Sequence, residues 1–333
     1  MAGADSVEKL EDVIVRSAEQ VAGQIRAAKE AIATVIFGQD RVIENTLVTI
    51  LSGGHALLIG VPGLAKTKLV ETLGITLGLD AKRIQFTPDL MPSDILGAEV
   101  LDESSSGKRS FRFIAGPVFA QLLMADEINR ASPRTQSALL QAMQEQHITV
   151  AGARHDLPKP FHVLATQNPL EQEGTYPLPE AQLDRFLMEI DVDYPDRDAE
   201  RRILFETTGA DETLAKVSMN AETLITAQRL VRRLPVGDSV VEAILSLVRA
   251  ARPSQDGEGD KLIAWGPGPR ASQSLMLAVR ARALLDGRLA PSIDDVLDLA
   301  EPVLKHRMAL TFSARAEGRT IPDVIRQLKT RIG

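Results

Sequence analysis

Residues 60–67 constrain what this chain can fold into more than any other segment. They follow a short apolar run, Ala56–Ile59, that is typical of a buried strand, and they precede a segment, 68–79, with apolar residues on one side of a helix. The segment reads Gly60, Val61, Pro62, Gly63, Leu64, Ala65, Lys66 and Thr67, and Lys68 begins the helix. A strand, a glycine-rich turn and a Lys-Thr pair at a helix mouth predict a phosphate-binding loop.

The physical basis of this prediction is the backbone of the loop. Glycines let the chain curl so that its N–H groups point at a polyphosphate, and the helix N-terminus adds the positive end of its dipole. In such a loop Lys66 reaches the β- and γ-phosphates, and the Thr67 hydroxyl ligates Mg²⁺. The loop residues, with Lys68, are therefore our predicted nucleotide contacts.

Ala65 departs from the usual pattern, which has glycine before the lysine. An alanine tolerates the position only with a negative φ, which we therefore expect, and only if its methyl group does not crowd the phosphate. The alternative is an ordinary strand–turn–helix with an incidental lysine.

A second motif, 121–127, is an apolar run that ends in Asp126 and Glu127. It predicts a buried strand with two carboxylates at its C-terminal tip, where ligands bind in parallel α/β sheets. Asp126 would hold Mg²⁺ through water or Thr67, and Glu127 would polarise the water that attacks the γ-phosphate. Alone this run is weak evidence, but together with the loop it is strong.

Two further segments are candidates for the same site. A predicted strand, 161–166, is followed by Asn168 and Pro169, and an amide at a strand tip could orient the attacking water. The alternative is a turn-forming Asn before Pro. The apolar stretch 35–39, which includes Gly38, could wall an adenine, or it could equally be ordinary core.

Composition limits the function classes. The chain of 333 residues has no Cys, which excludes disulfides, thiolate chemistry and cysteine-ligated zinc. Its formal net charge of -7 argues against a generally basic surface for nucleic acid. No apolar run approaches membrane-spanning length, and no signal-peptide pattern is present. We therefore expect a cytoplasmic protein without a membrane span.

Three parts follow from the periodicity of the sequence. Residues 1–34 predict a helix packed on the core, residues 35–195 predict an α/β nucleotide-binding domain, and residues 199–333 predict an all-helical lid. A hairpin near 98–114 is predicted within the second part. It would expose Lys108, Arg109 and Arg112 beside aromatic residues, so it is either a structural hairpin or a loop that probes DNA or a partner.

The motifs resemble those of the AAA+ ATPases, and specifically the MoxR family. The matching runs are 60–67, 86–90, 126–130, 165–169 and 171–186. The resemblance covers about residues 30 to 315, and the family commonly has Ala-Lys-Thr where this chain has Ala65. It implies a P-loop NTPase fold, in which a parallel sheet sandwiched by helices precedes a helical lid. The predicted hairpin looks like the helix-2 insert of this clade.

The resemblance also implies roles by position. Asn168 looks like sensor 1, Arg185 like an arginine finger that acts on the ATP of a neighbouring subunit, and Arg270 like sensor 2 on the lid. The alternatives are a surface Arg185 paired with Asp184 and a solvated Arg270 at a helix start.

The implied activity is ATP hydrolysis with ATP and Mg²⁺ as cofactors. MoxR relatives are similar in acting as chaperone-like factors, often with von Willebrand A domain proteins. We therefore expect a ring, hexameric in our prediction, that remodels or activates a protein client. The alternatives are a DNA-directed motor, which the acidic balance opposes, and a nucleotide-binding scaffold without turnover, which Glu127 and Asn168 oppose.

Overall fold

This computed structural model describes residues 4–103, 109–171, 173–209, 213–253 and 260–332, and only the backbone of residues 4–18. Lys108 of the predicted basic hairpin lies outside these ranges. The strands are β1 (Ala56–Ile59), β2 (Ala81–Gln85), β3 (Gly97–Glu103), β4 (Arg109–Ala115), β5 (Leu122–Asp126), β6 (His147–Val150), β7 (Ala153–Asp156), β8 (His162–Gln167), β9 (Met188–Asp191), β10 (Ile263–Trp265) and β11 (Ala309–Leu310).

The helices divide between the two parts of the chain. Those before residue 195 are α1 (Ala4–Ala33), α2 (Asp40–Leu51), α3 (Lys66–Thr76), α4 (Pro92–Leu96), α5 (Pro133–Glu145) and α6 (Glu180–Leu183). Those after it are α7 (Arg197–Thr207), α8 (Ala221–Val231), α9 (Asp238–Ala250), α10 (Pro269–Leu285), α11 (Ile293–Leu304), α12 (Phe312–Ala316) and α13 (Ile321–Lys329). Short 3₁₀ turns lie at Ile128–Arg130 and Lys305–Arg307.

A five-stranded parallel sheet forms the centre of the described chain, in the order β2–β5–β8–β1–β9. Its strands are in register at their carboxyl ends, because Gln85 of β2 lies beside Asp126 of β5 and Ile59 of β1 lies beside Gln167 of β8. The residues that follow these strands therefore meet at one edge, where open α/β sheets bind ligands. The predicted fold class is confirmed.

Two apolar layers cover the two faces of the sheet. Because side chains alternate along a strand, Leu57 and Leu123 belong to one layer, and Leu58 and Met124 belong to the other. Helix α5 covers the first layer, and helices α1, α2 and α3 cover the second together with lid helices. The central strands are thus buried on both sides, as is usual in parallel sheets.

The hairpin β3–β4 lies where the sequence predicts an insert, and its base depends on two glycines. Gly97, at φ +96°, and Gly116 approach the neighbouring backbone so closely that an added Cβ would stand 2.2 Å from a carbonyl oxygen in each case. Such a distance excludes any side chain. These two positions therefore fix where the hairpin leaves the body of the protein.

Aromatic contacts attach this hairpin to the second hairpin, β6–β7. Phe113 stacks on His155 with 3.9 Å between ring centroids and meets Phe119 edge to face at 5.6 Å. Leu101 and Phe111 lie opposite each other nearer the tip and are exposed. The hairpin is thus anchored partway along its length and carries an apolar pair beyond the anchor.

The lid, which was predicted to be all-helical, is mainly helical in the structure but also contains the antiparallel pair β10–β11. The sequence did not indicate this pair, because strands of three and two residues are too short to show alternation.

One apolar layer joins the N-terminal helix, the sheet and the lid. Ile25 and Ile32 of α1, Leu58 of β1 and Leu275 of α10 are fully or almost fully buried in the same cluster. Helix α1 therefore packs on the body of the protein. In the part of the chain that the structure describes, no helix is both long enough and apolar enough to cross a membrane.

Two buried histidines lie at the opposite edge of the sheet from the strand tips. The backbone N–H of Val163 donates to Nδ1 of His55 at 2.9 Å, and Nδ1 of His162 lies 2.8 Å from Gly54 O. Burial lowers the pKa of His55 to about 3 and that of His162 to about 4, and the neighbouring His162 adds to the shift of His55. Both rings are therefore neutral in the folded protein at neutral pH.

These histidines predict a loss of stability in mild acid. In the unfolded chain both histidines become protonated as the pH falls below about 6.5. In the folded protein His162 is protonated only near pH 4 and His55 only near pH 3. Stability should therefore be complete above pH 6.5 and fall by about 1.4 kcal/mol per pH unit for each histidine as the pH drops. Urea unfolding at pH 7.5, 6 and 5 measures this slope. His162→Gln should reduce the slope, and an unchanged slope in that variant would contradict the assignment.

Candidate functional site

The glycine-rich loop connects β1 to α3 at the carboxyl edge of the sheet. Helix α3 begins at Lys66, so the N-terminal turn of the helix is part of the loop. The Lys66 Nζ donates to the carbonyl oxygens of Gly60 at 2.9 Å and Val61 at 2.7 Å. Burial lowers the pKa of Lys66, and the carboxylates of Asp126 and Glu127 partly oppose that shift. The lysine is thus held inside the loop, and its charge interacts with both carboxylates.

The backbone of Ala65 contradicts our expectation of a negative φ. Its φ is +56° and its ψ is 19°, in the left-handed region. An L-residue there brings Cβ close to a carbonyl oxygen at a cost of about 1–2 kcal/mol. The surrounding fold imposes this conformation and offsets the free-energy cost of placing an alanine there. Our rule for this position was therefore wrong.

Thr166 links the two acidic residues of the second motif. Its hydroxyl donates to Asp126 Oδ1 at 2.5 Å and accepts the backbone N–H of Glu127 at 2.9 Å. Asp126 is almost fully buried at the end of β5, and Glu127 turns away from the strand with φ +56°. The Thr166 side chain of β8 therefore fixes the Asp126 carboxylate and also the turn that carries Glu127.

Two residues of the edge strand β2 also contact these carboxylates. Arg83 donates to Asp126 Oδ2 from Nε at 3.1 Å and from Nη2 at 2.6 Å. Gln85 Nε2 donates to Glu127 Oε2 at 2.7 Å, and Arg130 Nη1 donates to the same oxygen at 3.0 Å. The Glu127 Oε1 has no hydrogen bond to the described residues.

Sequence reasoning missed these four polar partners. The signal for Arg83 and Gln85 was their spacing of two residues, which places both on one face of β2. That spacing indicates contacts with Asp126 and Glu127 only once β2 is known to pair with β5. For Thr166 the sequence predicted only the strand that carries it, and no role was assigned to its hydroxyl. Arg130 lay in a run that was noted only for the family resemblance.

Most of the predicted phosphate and metal residues line one cavity of about 470 Å³, but Gly60, Val61 and Leu64 of the loop do not. Lys66, Thr67, Asp126, Glu127 and Asn168 all line it. Lysine, hydroxyl, carboxylate and amide groups at the mouth of one helix form a set that can bind a polyphosphate with a divalent cation.

A larger cavity of about 870 Å³ adjoins the first, and the loop separates the two. Its lining includes Val35, Ile36, Phe37 and Gln39. Gly38 does not line it. At Gly38, where φ is +67°, an added Cβ would stand 2.4 Å from the Ala199 Cβ, so this glycine permits close packing against α7. The apolar stretch therefore lines a cavity, but Gly38 lies behind it.

The remaining candidates separate into two groups. Asn168 lines the phosphate cavity, and its Oδ1 also accepts the N–H of Leu170 at 3.1 Å, so it is a strand-tip amide and a turn residue at once. Arg185 and Arg270 line neither cavity.

The alternative roles of the two arginines involve Asp184. Its Oδ1 accepts from Arg307 at 2.7 Å and its Oδ2 accepts from Arg270 at 3.1 Å. Within the described chain the Arg185 side chain has no hydrogen bond or ion pair, so the suggested Arg185–Asp184 pair is not formed. The alternative of a solvated Arg270 at a helix start remains, because Arg270 lies at the start of α10 with 47% of its side chain exposed even though it pairs with Asp184.

The left-handed backbone at Ala65 predicts that Ala65→Gly stabilises the protein. Glycine removes the Cβ contact at φ +56°, and the gain should be about 1 kcal/mol after the added freedom of the unfolded chain. Ala27→Gly, at an exposed site within α1, is the matched control and should destabilise by about 1 kcal/mol. Urea unfolding measures both. Equal losses in the two variants would contradict the left-handed assignment.

Comparison with known families covers both parts of this site. The family described as "ATPase family associated with various cellular activities (AAA)" matches residues 55–188, and the AAA lid domain matches residues 260–328. The first match contains the loop, both carboxylates, Asn168 and Arg185, and the second contains Arg270.

Individual relatives extend the match to almost the whole chain. The protein named chaperone MoxR1 from Mycobacterium tuberculosis is 42% identical over 92% of this chain and 82% of its own. The protein named MoxR from Paracoccus denitrificans is 31% identical over 86% of this chain and 89% of its own. A crystal structure of a candidate ATPase from Cytophaga hutchinsonii has a TM-score of 0.87 and 35% identity, and covers 97% of each chain. With the sheet, the loop and the lid all in agreement, this chain belongs to the MoxR family of AAA+ ATPases.

Proposed function

We propose that this protein binds ATP with Mg²⁺, hydrolyses it within a ring of identical subunits in the cytoplasm, and uses the energy to remodel a protein client. The single observation that carries the proposal is the convergence of Lys66, Thr67, Asp126, Glu127 and Asn168 on one cavity. Together they would supply four parts of phosphoryl transfer. Lys66 would neutralise phosphate charge, Thr67 and Asp126 would ligate the metal, Glu127 would be the base, and Asn168 would orient the water.

The donor set suits Mg²⁺. The Thr67 hydroxyl and the Asp126 carboxylate line the same cavity, and the described residues contain no cluster of three or more acidic or histidine side chains that could cage a metal alone. Mg²⁺ is usually held by one or two carboxylates together with substrate phosphates, so these two oxygen donors are sufficient. When bound, the metal would neutralise part of the phosphate charge.

Glu127 is suited to act as the general base. Gln85 and Arg130 both bond its Oε2, which fixes the carboxylate and leaves Oε1 without a protein donor in the described chain. We infer that Oε1 takes the proton of the attacking water while Asn168 orients that water. Lys66 would exchange its loop carbonyls for the β- and γ-phosphates.

The larger cavity is the proposed site of the nucleoside. It adjoins the phosphate cavity along Pro62, Gly63, Ala65 and Lys68, which line both. Its remaining wall includes the apolar segment before α2, so a flat base can be buried there while the phosphates reach across the loop.

Arg185 is proposed as a finger for the ATP of a neighbouring subunit. It lies away from both cavities of its own chain, and it has no side-chain partner among the described residues. A guanidinium from another subunit would stabilise the charge that develops on the γ-phosphoryl. Arg270 is tied to Asp184, next to Arg185, and we infer that it acts at the same subunit boundary. Ring assembly, hexameric in our prediction, would therefore be required for turnover.

The client is proposed to be a protein, such as one with a von Willebrand A domain, and not DNA. In the β3–β4 hairpin, Arg109 pairs with Glu103 at 3.2 Å and Arg112 pairs with Asp102 at 3.1 Å. Acidic partners thus offset the charge of the two described basic residues of the hairpin, the charge with which phosphates would be bound. The exposed Leu101 and Phe111 are better suited to a peptide.

Glu127→Gln should keep ATP binding and lower hydrolysis by about 10²-fold or more, because the amide cannot accept the proton of the water. Phosphate release and nucleotide affinity measure the two effects separately. Glu71→Gln, at an exposed position of α3, is the matched control and should leave both unchanged. Full hydrolysis by Glu127→Gln would remove this residue from the mechanism.

A finger that acts between subunits predicts complementation. Arg185→Ala subunits and Lys66→Ala subunits should each be nearly inactive alone, with losses on the order of 10³-fold for the finger. In a mixture, the intact loop of the first meets the intact finger of the second, so part of the ATPase activity should return. The measurement is phosphate release against mixing ratio. Mixtures that stay as inactive as their components would show that Arg185 does not act in trans.

A further inference from the structure

Arg307 is the most completely buried charged residue of the described chain, with 1% of its surface exposed. It ends the short 3₁₀ turn Lys305–Arg307 in the lid, yet most of its hydrogen bonds cross to the nucleotide-binding part. Nε donates to Asp184 Oδ1 at 2.7 Å, and Nη2 donates to the backbone oxygens of Asp184 at 3.2 Å and Phe186 at 2.6 Å. Nη1 donates to Leu187 O at 3.2 Å.

These acceptors belong to residues 184, 186 and 187, so they lie on both sides of Arg185 in the chain. Arg185 lies in the turn between α6 and β9. The backbone hydrogen bonds within this segment are those of a short turn. A planar guanidinium with five donors can hold several carbonyls in a fixed arrangement, which a flexible ammonium cannot do.

The rest of the Arg307 contacts fix the guanidinium from the lid side. Nη1 also donates to the Val303 carbonyl, one turn earlier, and Nη2 donates to Ser274 Oγ at 3.3 Å on α10. The neighbouring His306 Nε2 bonds Phe186 O at 3.2 Å, and Lys305 pairs with Asp191 at 2.5 Å. The lid thus grips residues 184–191 at successive points, with Arg307 nearest to Arg185.

We propose that Arg307 is a positioning residue for Arg185: it fixes the turn from which that side chain reaches the ATP of the neighbouring subunit. The inference rests on the proposed function, because it requires Arg185 to act in trans. It adds that the lid of the subunit that donates the finger, and not only the lid of the subunit that holds ATP, controls hydrolysis. Preorganised charge is effective only when its carrier is held in place before the reaction.

The first test is the kinetics of Arg307→Lys, which keeps the charge but cannot bridge the separate acceptors. A misplaced catalytic group can cost about 10²-fold, so kcat should fall by about 10- to 100-fold while the KM for ATP stays within about twofold. The double variant Arg185→Ala/Arg307→Lys should be no slower than Arg185→Ala alone, because both changes remove the same contribution. Additive losses would overturn the proposal.

The control is Arg282→Lys. Arg282 is another lid arginine in ion pairs, but its partners are Glu44 of α2 and Asp286 at the end of α10, far along the chain from Arg185. It should leave kcat unchanged, and a loss equal to that of Arg307→Lys would reduce Arg307 to a general lid contact.

The decisive test is mixing, with phosphate release as the readout. Arg307→Lys subunits have an intact loop and should regain activity when mixed with Lys66→Ala subunits, which supply an intact finger. They should regain none with Arg185→Ala subunits. If Arg185→Ala is rescued by Lys66→Ala and Arg307→Lys is not, the positioning role is wrong while the proposed function stands. If neither is rescued, action in trans is wrong and this inference falls with it.

A second variant protects the test against misfolding of Arg307→Lys. Asp184→Asn keeps the shape of an acceptor but removes the charge that Arg307 and Arg270 share. Circular dichroism and ATP affinity would first establish that it is folded, and the same two mixtures would then be run. Asp184→Asn should show a smaller loss of kcat, about 3- to 10-fold, rescued by Lys66→Ala alone. A folded Asp184→Asn with full activity would overturn the proposal.

Discussion

The site depends on the register of three parallel strands. Because Gln85 of β2 is paired with Asp126 of β5, and β5 is paired with β8, the side chains at the strand ends come within hydrogen-bonding distance without any long loop to guide them. The Thr166 hydroxyl reaches Asp126 at 2.5 Å as a result. A slip of one residue in either pairing would turn these side chains to the opposite face of the sheet and separate them.

The same register gives two neighbouring carboxylates different surroundings. Asp126 is almost fully buried and accepts from a threonine and an arginine. Glu127 leaves the strand in a left-handed turn, and its two donors occupy one oxygen only. A metal ligand needs a fixed carboxylate, whereas a base needs one oxygen that can receive a proton, and these two environments match those two needs. Both are supported by Thr166, so β8 would contribute to the proposed chemistry through this side chain as well as through Asn168.

Much of this could be predicted from sequence, and the reasons for the failures are physical. The loop, the two carboxylates and Asn168 were accessible because each is a local pattern at the end of an apolar run. The contacts of Arg83 and Gln85 were not, since they depend on which strand lies beside β5, and that order is a property of the whole sheet. The bonds from Arg307 to residues 184–187 join positions about 120 apart in the chain, and no periodicity connects them. The φ of Ala65 was judged by what an alanine prefers in isolation, whereas the fold imposes what the loop requires.

The apolar layer that runs from β1 through α1 and α2 to the lid has a consequence for how the protein can be divided. The boundary that we propose near residues 195–199 separates the nucleotide-binding part from the lid. It does not separate two hydrophobic cores, because Leu58 and Leu275 are buried in the same cluster. Cutting the chain there would expose a large hydrophobic surface to solvent on each fragment. Heat or denaturant should therefore unfold both parts in a single cooperative transition. Neither part should fold into a stable, soluble domain when it is expressed alone.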